Sequence, residues 1–285
     1  MAMVVDLFLI DPQNDFMGEA DGSPYTVNVD GKAQSAALPV PGAVADMQRL
    51  SKLVDRVGDR LHDIHVSMDS HRVIDVSHGG LWRNAKGEAP PPFTFIKEPD
   101  ILNGIWTPRN PKLRDRMLDY VRQLEANGRY DLCIWPEHCI IGSWGHNVHI
   151  DLAAALQRWE RSNYANVDYI TKGDNYLTEH YGALEAEVPD PTDPKTQLNS
   201  DFLEMIAKCD MIGLAGEASS HCVKETIRQI AVNIGDEHIK KFYILTDCMS
   251  PVIHPAVDFP KIAADFFADM EKRGMHLTTS AEFLA

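Results

Sequence analysis

Short apolar runs alternate with longer amphipathic stretches along this chain. "MVVDLFLI" from residue 3, "DIHVSM" from 63, "YDLCIW" from 130, "VDYIT" from 167, "DMIGLAG" from 210 and "KFYILTD" from 241 are brief, rich in β-branched and aromatic residues, and closed by polar ones. They read as buried strands, six in all. Between them, "PGAVADMQRLSKLVDRVGDRL" carries Val44, Met47, Leu50, Leu53, Val54 and Val57 at helical spacing behind a Pro-Gly start, and "SHCVKETIRQIAVNI" carries Val223, Ile227, Ile230, Ala231 and Ile234 in the same way. Strands alternating with crossover helices predict an α/β fold of three layers, α/β/α, around a mostly parallel six-stranded sheet. In such sheets ligands sit at the carboxyl ends of the strands.

No repeat and no linker divides the chain, so a single domain over residues 1–285 is expected, with surface insertions near 80–110 and 185–200 around "GEAPPPF" and "EVPDPTDPKTQ". A hydrophobic content of 44% suits a packed globular core. The formal net charge of −15, with no basic run, argues against nucleic acid or an anionic membrane surface as partner. No apolar run approaches the roughly 18 to 20 residues of a membrane span, and "MAMVVDLFLID" has no basic leader, which places the expected compartment in the cytoplasm. The five cysteines are odd in number and lack CxxC spacing, so reduced thiols are the default. A small molecule is the expected partner, and assembly into a homo-oligomer is left open.

The strand ends gather the chemistry. "IDPQNDF" puts Asp11 at the edge of the first strand, with Asp15 and Phe16 just beyond. In "MDSHRVIDVSH", Asp69 and His71 stand two apart on an extended segment and project to one side, where they can share a metal. "WPEHC" offers His138 beside Cys139; neighbours on an extended segment point apart, so the two are a poor nucleophile and base pair. "ITKG" delivers Lys172, and "GLAGEASSHCVKET" sets Cys222 at a helix start, where the helix dipole lowers a thiol pKa. Each has a plain reading as a turn residue, a surface charge or a core thiol. His78, His146 and His149 are read as ordinary residues, not ligands. It is the conjunction at one edge of the sheet that points to a site.

These blocks resemble the isochorismatase-like cysteine hydrolases, and among them the nicotinamidases. The family's D-x-Q-N-D-F, K-G and G-x-A-x-x-x-C-V motifs stand here as "DPQNDF", "TKG" and "GEASSHCV", and the nicotinamidase metal motif D-x-H followed by W-P-x-H-C stands as "DSH" and "WPEHC". The resemblance implies a catalytic triad of Asp11, Lys172 and Cys222, an oxyanion hole from the backbone N–H groups of Ala218 and Cys222, and a cis Glu217–Ala218 bond. It implies a divalent ion on Asp69, His71 and His138, Zn²⁺ before Fe²⁺ or Mn²⁺ by donor type, with Phe16 and Trp135 facing the substrate ring. The implied reaction turns nicotinamide into nicotinate and ammonia through a thioester, within NAD salvage. The chain departs from the compact family pattern by insertions after "DPQNDF", between the metal blocks and before "DMIGLAG", by Ser219-Ser220, and by Glu217 where an aliphatic residue is usual. Three alternatives stay open, two of them a related amidase for another small amide and a protein that binds metal without catalysis. A hydrolase whose ion activates water is a third, in which Cys222 is incidental.

Overall fold

The computed structural model describes residues 3–254 and 257–285. Six strands among them form the main sheet: β1 (Val5–Ile10), β2 (Asp63–Asp69), β3 (Asp168–Lys172), β4 (Met211–Gly216), β5 (Phe242–Leu245) and β6 (His276–Thr278). Their order is β3-β2-β1-β4-β5-β6, and every neighbouring pair is parallel. Chain order reverses about β1, so the carboxyl ends of β1, β2 and β4 open onto a switch-point crevice.

Alternation along β1 feeds both faces of the sheet. Leu7 and Leu9 pack with α1 (Ala43–Val57) and α3 (Ile150–Asn163) through Met47, Leu50, Leu53, Leu152 and Trp159. Phe8 and Ile10 point the other way, onto α4 (Cys222–Asn233) and α5 (Phe259–Arg273) through Val223, Ile227, Ile230 and Phe267. Both predicted helices are present, each trimmed at its ends. The three-layer α/β/α architecture is therefore the observed one.

One predicted strand lies elsewhere. Of "YDLCIW" only Leu132–Cys133 is extended, and it pairs antiparallel with Phe95–Ile96 in a two-stranded ribbon outside the main sheet. That ribbon and α2 (Arg114–Asn127) enclose a third apolar cluster, including Trp82, Ile96, Met117, Val121, Leu132 and Ile134. The inserted segment thus packs around a third cluster, which Leu177 and Val188 from beyond β3 help to close. The sixth strand of the sheet is instead β6.

Candidate active site

The end of β1 is joined closely to both neighbours, and the polar letters of "DPQNDF" do the joining. Gln13 accepts from the Asp69 N–H at 2.7 Å and donates to the Asp69 carbonyl at 2.8 Å, locking the end of β1 to the end of β2. Asp15 accepts from the backbone N–H groups of Cys139 at 2.7 Å and Ala37 at 3.1 Å. Asn14 donates to the Trp144 carbonyl at 2.9 Å. On the other side, Gly216 sits at φ 126°, and a Cβ there would lie 1.9 Å from the Ile10 carbonyl oxygen, so only glycine lets β4 end against β1.

Asp11, Lys172 and Cys222 converge in this joint, all buried. The Lys172 ammonium lies 2.9 Å from Asp11 Oδ2 and 2.8 Å from Asp69 Oδ1, donates to the His180 carbonyl at 2.8 Å, and reaches Cys222 Sγ at 3.6 Å. The Ser67 hydroxyl donates to Asp11 Oδ1 at 2.6 Å, which fixes the carboxylate's other oxygen. Burial pushes the Asp11 carboxyl above its ordinary value against the pull of Lys172, and it pushes the Cys222 thiol well up. The second result corrects the expectation of a lowered thiol. Cys222 is indeed the first residue of α4, but burial first, and then the Asp11 and Asp69 carboxylates, push its thiol up against the pull of Lys172. The resting pair is a protonated thiol beside a carboxylate more basic than a free one. For Lys172, burial works against the charge, yet Asp11 and Asp69 raise its pKa well above the usual lysine value, so the ammonium persists.

The second metal block arrives by backbone docking rather than from the main sheet. The His71 N–H donates to the Cys139 carbonyl at 3.0 Å, the Ile141 N–H to the His71 carbonyl at 3.0 Å, and the Trp135 N–H to the Ser77 carbonyl at 2.8 Å, which zips "WPEHC" onto residues 71–78. Asp69 Oδ2 then faces His71 Nε2 at 3.0 Å and His138 Nε2 at 3.4 Å. His71, His78 and His138 form a buried group that could hold a metal ion. His78, read from the sequence as an ordinary residue, belongs to this cluster. At Nδ1, His78 lies 3.2 Å from the Arg72 carbonyl and His138 lies 2.9 Å from the Pro136 carbonyl, while His71 Nδ1 stands 3.2 Å from Asp75 Oδ2 as an ion-pair contact. His71 Nε2 and His138 Nε2 face the Asp69 carboxylate, and His78 Nε2 lies 3.3 Å from His138 Nδ1, so three imidazoles and a carboxylate gather nitrogen and oxygen donors of a kind that fits a divalent ion. Burial and the neighbouring imidazoles push His78 down to about 3, which keeps it neutral.

Beside these groups lies a cavity of about 430 Å³ lined by Phe16, Asp69, Trp135, His138, Glu179, Tyr181, Ala218 and Cys222, among others. Phe16 meets the His138 ring edge to face with centroids 5.4 Å apart, and the Trp135 indole donates to the Tyr181 hydroxyl at 3.2 Å. The Glu217–Ala218 bond is cis, as expected from the resemblance. Ala218 and Cys222 share the cavity wall, and Cys222, as the first helical residue, has an N–H with no intrahelical acceptor. Glu179, Tyr181 and Gln13 were not singled out from the sequence. Gln13 stands inside a quoted motif and was findable there, whereas Glu179 and Tyr181 sit in a loop without periodicity.

No protein-family model and no curated protein sequence matches the chain. Solved structures do. A nicotinamidase/pyrazinamidase from Acinetobacter baumanii superposes with a TM-score of 0.57 at 17% identity, over 98% of this chain and 97% of that one. The yeast nicotinamidase bound to the inhibitor nicotinaldehyde gives 0.57 at 17% identity, over 97% of this chain and 100% of that one. The pyrazinamidase of Pyrococcus horikoshii in complex with zinc gives 0.52 at 16%, over 96% and 98%. The chain has the nicotinamidase and isochorismatase-type hydrolase fold.

Proposed function

We propose that this chain is a cysteine amidohydrolase that converts nicotinamide to nicotinate and ammonia, with residues 1–285 acting as one catalytic unit. The observation that carries the reading is the Lys172 ammonium, held between Asp11 and Asp69 and within 3.6 Å of Cys222 Sγ at the wall of an aromatic cavity. Asp11 takes the thiol proton, and the nascent thiolate is formed beside the Lys172 charge that stabilises it. Sγ attacks the amide carbonyl. The N–H groups of Ala218 and Cys222 receive the oxyanion, each such donor being typically worth about 3 kcal/mol in the transition state. Asp11 returns its proton to the departing nitrogen, the C–N bond breaks, and a thioester remains on Cys222. A water deprotonated by Asp11 then releases the carboxylate and restores the thiol.

Asp69, His71 and His138, with His78 as a further imidazole, would hold a divalent ion, Zn²⁺ by donor type, with Fe²⁺ or Mn²⁺ as alternatives. When bound, the ion supplies a Lewis-acid contact that orients a pyridine nitrogen. Phe16 and Trp135 flank the ring and exclude water from it. The test is ammonia release from nicotinamide by the wild type, Cys222→Ala, Asp11→Asn and a chelator-treated sample. The first two variants should lose several powers of ten in kcat while retaining metal, and chelation should impair turnover reversibly. Near wild-type activity in Cys222→Ala would end the covalent reading, and metal loss in Asp11→Asn would make Asp11 a ligand instead.

A further inference from the structure

A second chamber adjoins the first. It has about 470 Å³ of empty space, counted out into its open mouth, and shares Trp135, Tyr181, His221 and Val252 with the first cavity, so these four residues border both. The far walls come from opposite parts of the chain: Phe93, Phe95 and Tyr130 from the inserted segment, and Phe259 from the start of α5. Phe93 and Phe95 are 44% and 46% exposed, a pair of aromatic rings at the rim of an apolar hollow.

The chamber's chemistry restricts what it takes. Among its described lining residues there is no lysine or arginine, and the single carboxylate, Asp131, is answered by Lys97 at 2.8 Å. His221 stands at the junction, with its ring centroid 5.6 Å from that of Trp135 and 4.6 Å from that of Phe259. Burial pushes its imidazole down to about 3, so it is neutral. Ser220 Oγ accepts from the Val252 N–H at 3.1 Å and lies 2.9 Å from His221 Nδ1, so the hydroxyl proton is free for Nδ1 and the ring's own proton falls on Nε2. The junction thus offers a neutral donor between aromatic faces, and Lys224, whose ammonium lies 5.0 Å from the Tyr130 ring centroid, is already paired with Glu225 at 3.2 Å.

We propose that this second chamber is a substrate subsite, and that the amide attacked by Cys222 carries a further neutral aryl group lying between Phe95, Tyr130 and Phe259. The inference rests on the amidohydrolase reading and narrows its substrate class to aryl-extended aromatic carboxamides. The chemistry is unchanged: Sγ bonds to the carbonyl carbon, the C–N bond breaks, the leaving nitrogen takes the proton from Asp11, and water completes the acid. The aryl group belongs either to the acyl half, with ammonia leaving, or to the nitrogen, with an arylalkylamine leaving.

Two probes separate these cases, 5-phenylnicotinamide and N-benzylnicotinamide, each compared with nicotinamide by kcat/KM in the metal-loaded wild type and in Phe93→Ala and Phe95→Ala. Both variants trim half-exposed rings, and a thermal melt of each checks that it is folded. The expected result is at least a tenfold preference for one aryl amide over nicotinamide, reduced at least fivefold by each variant, with nicotinamide turnover within twofold of wild type. Neither aryl amide reaching that preference overturns the subsite, as does a preference that survives both variants or a loss shared equally with nicotinamide. If nicotinamide is hydrolysed through Cys222 in any of those cases, the amidohydrolase reading stands alone. If the wild type hydrolyses no amide at all, that reading falls as well.

Discussion

Glu217 occupies the position directly before the cis bond, where an aliphatic residue was expected from the resemblance, and it is fully buried. Burial pushes its carboxyl well above the ordinary value of 4.5, and the neighbouring Asp46 adds to the shift. The folded protein therefore keeps a proton that the unfolded chain gives up above about pH 4.5, so this residue costs stability increasingly as pH rises. Glu217→Gln keeps the shape and has no proton to lose. Its melting temperature should exceed that of the wild type by a margin that widens from pH 5 to pH 8, about 2 to 4 °C for each kcal/mol relieved. Parallel pH profiles in the two proteins would show that Glu217 is not the source. The contrast with Asp11, Lys172 and Cys222 is instructive. Those three were legible because each stands at the polar end of an apolar run, where a charge or thiol needs a reason. Gln13 meets the Asp69 backbone because β1 and β2 are neighbours, and Glu179, within 4.0 Å of His71, is brought there by the loop after β3; no spacing in the chain announces either contact.

At the scale of elements, periodicity located five strands of the main sheet and both crossover helices, but it misplaced "YDLCIW". An apolar run bounded by polar residues says that a segment is buried, not in which core, and Leu132 is buried in the inserted cluster rather than the central one. The true sixth strand, His276–Thr278, is three residues long and nowhere fully buried, so it left too faint a pattern to detect. The join of β1 and β4 depends on a single residue without a side chain. Gly216→Ala should cost at least about 3 kcal/mol, because a Cβ would meet the Ile10 carbonyl and a left-handed backbone would be forced on a non-glycine residue. Urea unfolding measures it, and an unchanged midpoint would mean that the strand ends separate without penalty.

For the whole molecule, among the described residues no helix is long and apolar enough to cross a membrane. The imidazole cluster makes ion content a function of pH. Burial opposes charge on His71, but Asp69 and Asp75 push its pKa well above 6.5, so without an ion it holds a proton that coordination must displace. Dialysis at pH 7.5 should leave about one ion per chain and dialysis at pH 5 should strip it, with His138→Ala depleted at both. Retention at pH 5 would place the ion elsewhere. Finally, the third apolar cluster has a consequence for how often the cavity is complete. Trp135 and His138 follow the ribbon strand that this cluster buries, and they reach the cavity through backbone bonds to residues 71–78. Opening of the segment around this cluster, apart from the main sheet, costs no more free energy than global unfolding. Molecules with the segment open keep Asp11, Lys172 and Cys222 but lack one wall and one imidazole. The apparent dissociation constant for ion or substrate is then the intrinsic one divided by the closed fraction, so a weakened insertion acts as a tax on affinity with no change in any group that touches the substrate.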